Sequence, residues 1–150
     1  IYYNNNNNQV DLLTSITTPS GGQISATYKA STQYKDAQGN LLNPNLPILI
    51  QTVDSVTKTD PVTNVSGITH YIYEGGKYYY NNAYDKKFAG FHIITAVDPS
   101  GNVTKTYLHQ GDISDSARGE YNDAAEKIGK DYRSEIYDAQ GNLYKKEIKW

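Results

Sequence analysis

Tyr137-Asp138-Ala139-Gln140-Gly141-Asn142-Leu143-Tyr144 carries the chemistry of a tight reversal between two strands. Aspartate opens such a turn by accepting backbone N–H bonds, glycine supplies a positive φ at low steric cost, and asparagine tolerates the left-handed region or caps the exit. The aliphatic residue then restarts the strand. The same word stands twice more, as Asp36-Ala37-Gln38-Gly39-Asn40-Leu41 and as Asp98-Pro99-Ser100-Gly101-Asn102-Val103. Asp36, Gly39, Asn40, Asp98, Gly101, Asn102, Asp138, Gly141 and Asn142 are therefore read as structural turn residues. The third copy adds Tyr137 and Tyr144 at the two mouths of the turn, where their rings can stack across the strand pair. One such word arises by chance in any hairpin protein. Three of them, one flanked by tyrosines, make the hairpin the organising unit.

Outward from these turns, short β-type runs alternate with breakers. Leu12 to Thr17, Pro19-Ser20-Gly21-Gly22 and Gln23 to Lys29 read as a hairpin with Ile24, Ala26 and Tyr28 on one face and Ser25, Thr27 and Lys29 on the other. Ile48 to Lys58 and Ile68 to Tyr73 should pair around a turn from Asp60-Pro61 through Gly67. Gly75-Gly76 precedes Lys77 to Asn82, and Phe88 to Val97 follows with Phe91, Ile93 and Ile94 as core candidates; Asn102 to Leu108 comes next. Ala117, Tyr121, Ala124, Ala125 and Ile128 have helical spacing, with Asp115 and Ser116 as caps and Gly129 as stop, so the spacing predicts one short helix near 116–128. Tyr132 to Tyr137 and Leu143 to Trp150 form the last hairpin. The fold class is mainly β: antiparallel hairpins forming a curved sheet with one helix. The five asparagines Asn4 to Asn8 present no apolar face, so residues 1–10 read as linker or loop and 11–150 as a single β-rich segment.

Composition supports this reading and removes several function classes. Fifteen of 150 residues are tyrosine, a residue that suits half-buried pleated surfaces and is scarce in disordered chains. Sixteen acidic side chains against 14 basic ones leave a net charge of -2, which argues against a phosphate-binding surface and hence against nucleic acid as partner. No apolar run approaches the roughly 20 residues that cross a bilayer as a helix, so membrane insertion is not expected. Without cysteine there is no disulfide, thiol nucleophile or zinc knuckle. Without methionine the chain reads as a processed or excised fragment, so the missing signal peptide says nothing for the cytoplasm.

Tyr137 to Tyr144 resembles the YD repeat of RHS proteins, long bacterial chains whose hairpins wind into a hollow β shell around a toxic carboxy-terminal segment. Asp11 to Thr17 with Pro19-Ser20-Gly21-Gly22, and Tyr28 to Gln33, are similar to a stretch of Tc insecticidal toxin B components and Salmonella virulence plasmid B type proteins. Leu46-Pro47 with Gln51-Thr52-Val53, Tyr84 to Phe91 and Tyr107-Leu108-His109-Gln110-Gly111 continue the likeness, as do Gly119-Glu120-Tyr121, Lys127 to Lys130 and Tyr132-Arg133. Relatives commonly carry arginine where Ala89 stands, so any ion pair made there is absent from this chain. The resemblance implies a non-catalytic, secreted or surface-delivered shell segment without cofactors. Its implied partners are the remaining shell segments of the parent chain, an enclosed toxic cargo and a translocation component.

Site candidates fare less well. His70, His92 and His109 lie in or beside separate strands without a two-histidine metal spacing, so sheet-surface packing is favoured over ligation. Asp112-Ile113-Ser114-Asp115-Ser116 with Glu120 has the look of a calcium loop, but Ala117 replaces the required glycine and capping explains Asp115 and Ser116. No Gly-x-Ser-x-Gly word appears, and Glu135-Ile136-Tyr137 is a poor substitute for the Glu-x-Glu of ADP-ribosyltransferases; no catalytic, cofactor or metal residue is assigned. Tyr71, Tyr73, Tyr78, Tyr79, Tyr80 and Tyr84 form the best candidate binding surface, and Tyr78, Tyr79, Tyr80 and Tyr84 are its nearest set; cross-strand stacking is the favoured alternative. The rival to a shell segment is an extracellular recognition module binding glycan or a surface protein through these tyrosines.

Overall fold

A computed structural model describes residues 12–111 and 115–149. The linker expected at residues 1–10 lies outside the described residues. Among the described residues ten strands follow in chain order: β1 (Ser15–Thr17), β2 (Gln23–Ala30), β3 (Gln51–Asp60), β4 (Val65–Glu74), β5 (Tyr78–Tyr80), β6 (Lys86–Phe88), β7 (Ile93–Val97), β8 (Val103–Leu108), β9 (Asp131–Tyr137) and β10 (Leu143–Ile148). Eight of them make one antiparallel sheet in the order β1-β2-β3-β4-β7-β8-β9-β10, while β5 and β6 form a separate two-stranded ribbon. Strands adjacent in sequence pair, as short connections favour. The one interruption is the ribbon, which leaves β7 to take the place beside β4. The sheet does not close; β1 and β10 are its edges.

Three strands break the simple alternation of faces, β3, β9 and β10. Thr27 pairs with Ser55 and Tyr28 with Val53, so Asp54 is an extra residue on β3, and Thr52 and Ser55 are both buried although three positions apart. The same occurs on β9, where Tyr107 pairs with Arg133 and Leu108 with Asp131, which makes Tyr132 the extra residue. The bulges on β3 and β9 each shift parity by one, and on β9 this brings Tyr132 and Glu135 into the interior together.

That interior is aromatic and polar. Tyr73 packs on Tyr34 and Phe91, and Phe91 on Phe88, with centroids 5.0–5.7 Å apart. One residue further on, His92 begins a second cluster with Tyr107, Tyr132 and His109. Asn43 sews the first cluster to the backbone, donating Nδ2 to Ser31 O and Tyr73 O and accepting Gly76 N at Oδ1. Among the described residues the buried apolar side chains are Tyr34, Leu46, Ala89, Phe91, Tyr107 and Tyr132, fewer than the buried polar ones. Meanwhile Ile16, Val65, Ile68, Ile72 and Leu143 remain exposed. The sheet thus leaves much apolar surface in water, a state that covering by further structure would relieve.

The helix expected near 116–128 does not form. Two single 3-10 turns, Ser116–Arg118 and Ala125–Lys127, stand in its place, separated by Gly119 at φ 90° and Asn122 at φ 50°. Three of its five face positions are alanines, too small to enforce an apolar stripe, and Tyr121 is 66% exposed. Asp115 precedes the first turn without a side-chain cap bond; its Oδ2 instead receives Arg118 Nη1 and Tyr132 OH. Long-range hydrogen bonds have outbid a weak local preference.

The tyrosines at the mouth of the last turn also do not stack as the word suggests. Leu143 is the cross-strand partner of Tyr137, and Tyr144 falls in the irregularity between Leu143 and Lys145, 83% exposed. Tyr137 OH bonds Glu135, and its ring lies under Lys105.

Candidate functional site

The three turn words adopt one geometry. Oδ1 of Asp36, Asp98 and Asp138 accepts the backbone N–H two and four residues on, and Oδ2 accepts the Nδ2 of Asn40, Asn102 and Asn142. Gly39, Gly101 and Gly141 sit at φ 83–86°, and each donates its N–H to the aspartate carbonyl three residues back. The asparagine side-chain bond in particular holds all three carboxyls below the ordinary aspartate value. Asp98 joins β7 to β8 and Asp138 joins β9 to β10, whereas Asp36 closes a loop pinned by an isolated Lys35–Leu41 bridge.

The tyrosine set divides. Tyr73 belongs to the interior, and burial pushes its phenol up to about 12. Tyr78, Tyr79 and Tyr80 lie on the ribbon, where Lys87 Nζ sits 5.8 Å from the Tyr79 ring. Tyr80 is 63% exposed and Tyr84 entirely so, at a turn held by Asn82 Oδ1 accepting the N–H of Tyr84 and Asp85.

Among the described residues the densest group of titratable side chains lies elsewhere, where residues 115–130 fold back beside β8 and the bulge of β9. Tyr132 is the centre, with its OH 2.7 Å from His92 Nε2 and 3.2 Å from Asp115 Oδ2. Burial, then the charges of Asp115 and Glu120, push the Tyr132 phenol well above its usual range. On β9, Glu135 accepts from Tyr107 OH, Tyr137 OH and Arg133. Burial alone would raise its carboxyl; the Arg133 and tyrosine bonds together hold it lower than usual.

Against the other face of the Tyr132 ring stands His109, centroids 5.1 Å apart. Its Nδ1 is 2.7 Å from Glu120 Oε1 and 3.3 Å from Asp123 Oδ1. Glu120 also accepts Asp115 N, and Asp123 accepts Gln110 N and Gly111 N. Burial first, and the neighbouring Asp123 charge among the other causes, raise the Glu120 carboxyl. The histidine thus meets two carboxylates in place of the other histidines considered from sequence. His109 and Glu120 were each visible in different guises. Asp123 was missed; the Glu-x-x-Asp spacing was its one signal, and that spacing is common on any polar loop.

The fold and these geometries can be set beside known proteins. Residues 2–116 match the family described as the insecticide toxin TcdB middle/N-terminal region, and the chain belongs to that family. No curated protein matches it. Among solved structures, the crystal structure of TcdB2-TccC3 without hypervariable C-terminal region has a similar fold, with TM-score 0.66 and 17% identity over 85% of this chain. The chain spans 8% of the length of that one. It is therefore a mainly β, Tc toxin B-component-like region. Glu120, Asp123 and Tyr132 lie beyond the residues that match the family.

Proposed function

We propose that this chain is a stretch of wall in a β shell that encloses a toxic cargo, non-catalytic in itself, in a secreted or surface-displayed toxin component. The remaining shell segments of a parent chain would be its partners at both margins, with cargo inside and a translocation component outside. The observation that carries this reading is the open eight-stranded sheet whose edge strand β10 is exposed from Leu143 to Glu147. A bare edge offers unpaired N–H and C=O groups to another strand, and natural proteins rarely leave one free. An excess of buried polar over buried apolar side chains and the exposed isoleucines support the same need for neighbours. Amide hydrogen exchange in the intact toxin component tests it. The β10 amides that face away from β9 should exchange as slowly as those of β8; exchange at the rate of an exposed strand would remove the wall reading.

A second reading has one observation in its favour, the fully exposed Tyr84 beside exposed Tyr80 on a ribbon that stands apart from the main sheet. Rings presented this way suit carbohydrate or protein contact. If the ribbon is a recognition device, the double substitution Tyr80→Ala, Tyr84→Ala abolishes glycan or cell-surface binding by the component. Unchanged binding leaves the ribbon as part of the wall.

A further inference from the structure

We propose that His109, Glu120 and Asp123 form a divalent-cation site of the zinc type that clips residues 115–130 to the end of β8. Their side chains are 6%, 2% and 2% exposed, so they are withdrawn from water. One ligand atom from each lies within 4.8 Å of the other two. Zinc bonds of about 2.0–2.2 Å place tetrahedral ligand atoms about 3.4 Å apart; Asp123 Oδ1 lies 3.3 Å from Nδ1, and Glu120 Oε1, at 2.7 Å, has to swing outward to admit the ion.

The decisive atom is Nδ1 of His109. It is buried within contact distance of both carboxylates and out of line for a straight N–H···O bond to either. A proton on Nδ1 therefore satisfies neither oxygen well. A cation seated beside Nδ1 takes the nitrogen lone pair and one oxygen from each acid at once. Charge points the same way. Two buried carboxylates are costly unless compensated. An imidazolium brings one positive charge; a divalent ion beside a neutral imidazole balances both acids. One imidazole nitrogen with two carboxylate oxygens is a donor set for a borderline metal more than for calcium or magnesium, which take oxygen alone.

The surroundings are already ordered as ligand supports. Glu120 is oriented by Asp115 N, Asp123 by Gln110 N and Gly111 N, and the His109 ring by Tyr132. His109 follows β8, while Glu120 and Asp123 stand between two single 3-10 turns, the regular structure described in residues 115–130. The ion would act as a staple for that stretch, independent of any role in a shell.

The test uses the full-length toxin component that carries this chain, stripped with a chelator and reloaded with zinc chloride. Wild type should retain one more zinc ion than the Glu120→Gln, Asp123→Asn double variant. X-ray absorption should show nitrogen and oxygen neighbours only. With zinc a hundredfold above its dissociation constant, amide exchange over 115–130 should slow by up to about a hundredfold. Equal zinc content in both proteins would overturn the site, as would exchange indifferent to zinc or the same effects from magnesium or calcium alone. Should the double variant not fold, the reloaded wild type decides alone: no retained zinc and unchanged exchange refute the proposal.

Discussion

Tyr132→Ala should lower the melting temperature of the chain by about 10 °C, the expected consequence of losing about 3–5 kcal/mol on emptying a buried aromatic site. Tyr132 is 1% exposed, and its ring is shared by Tyr107, His92 and His109. Truncation opens a cavity among all three. It also strips His92 Nε2 and Asp115 Oδ2 of the hydroxyl between them. Tyr132→Phe separates the two effects, since it keeps the ring and removes the OH; about 1–3 kcal/mol is expected for the buried groups left unpaired. Thermal unfolding followed by circular dichroism reads both. A Tyr132→Ala melt within two or three degrees of wild type, on the order of 1 kcal/mol, would show that the second aromatic cluster does not hold the sheet together.

Glu135→Ala should be almost as damaging, by about 3 kcal/mol, because it takes the carboxylate from half-buried Arg133, which keeps only the Arg118 carbonyl, and orphans two tyrosine hydroxyls. Glu135 also makes a pH prediction. Its carboxyl is held below the ordinary value of 4.5 in the folded chain, with the Arg133 and tyrosine bonds overcoming burial. A group whose folded pKa is depressed contributes stability that is fully present above its unfolded value and is lost as pH falls through the folded one. The wild type should therefore lose stability progressively from about pH 4.5 downward. Glu135→Gln should be less stable at pH 7 and show a shallower acid limb. Parallel acid limbs in the two proteins would mean that the proton is taken up elsewhere, with the Asp36, Asp98 and Asp138 turns as the alternative seat.

The two positions share a cause that local sequence does not reveal. Along Asp131–Tyr137, strict alternation sends Tyr132 and Glu135 to opposite faces. The extra residue on β9 opposite Tyr107 and Leu108 changes the parity and buries both. A bulge depends on what the neighbouring strand offers, so it is settled by pairing and not by the strand's own residues. The lost helix has the same origin. Ala117, Tyr121, Ala124, Ala125 and Ile128 keep helical spacing, but Glu120 and Asp123 make their bonds to His109 and to the backbone at 110, 111 and 115. Those bonds need Gly119 and Asn122 at positive φ, which a helix does not allow.

The hairpins were readable because their chemistry is complete within five residues. Aspartate, glycine and asparagine satisfy one another locally in Asp36–Asn40, Asp98–Asn102 and Asp138–Asn142, so each turn forms whatever surrounds it. From those reversals and the β-rich runs between them, an antiparallel, mainly β chain follows from sequence alone. The tertiary structure decided what lies inside it: which side chains the two bulges turn inward, that Tyr137 faces Leu143 and not Tyr144, and that His109 meets Glu120 and Asp123. These depend on contacts between segments far apart in the chain, whose hydrogen bonds and burial outweigh the small local preferences that a linear reading can weigh.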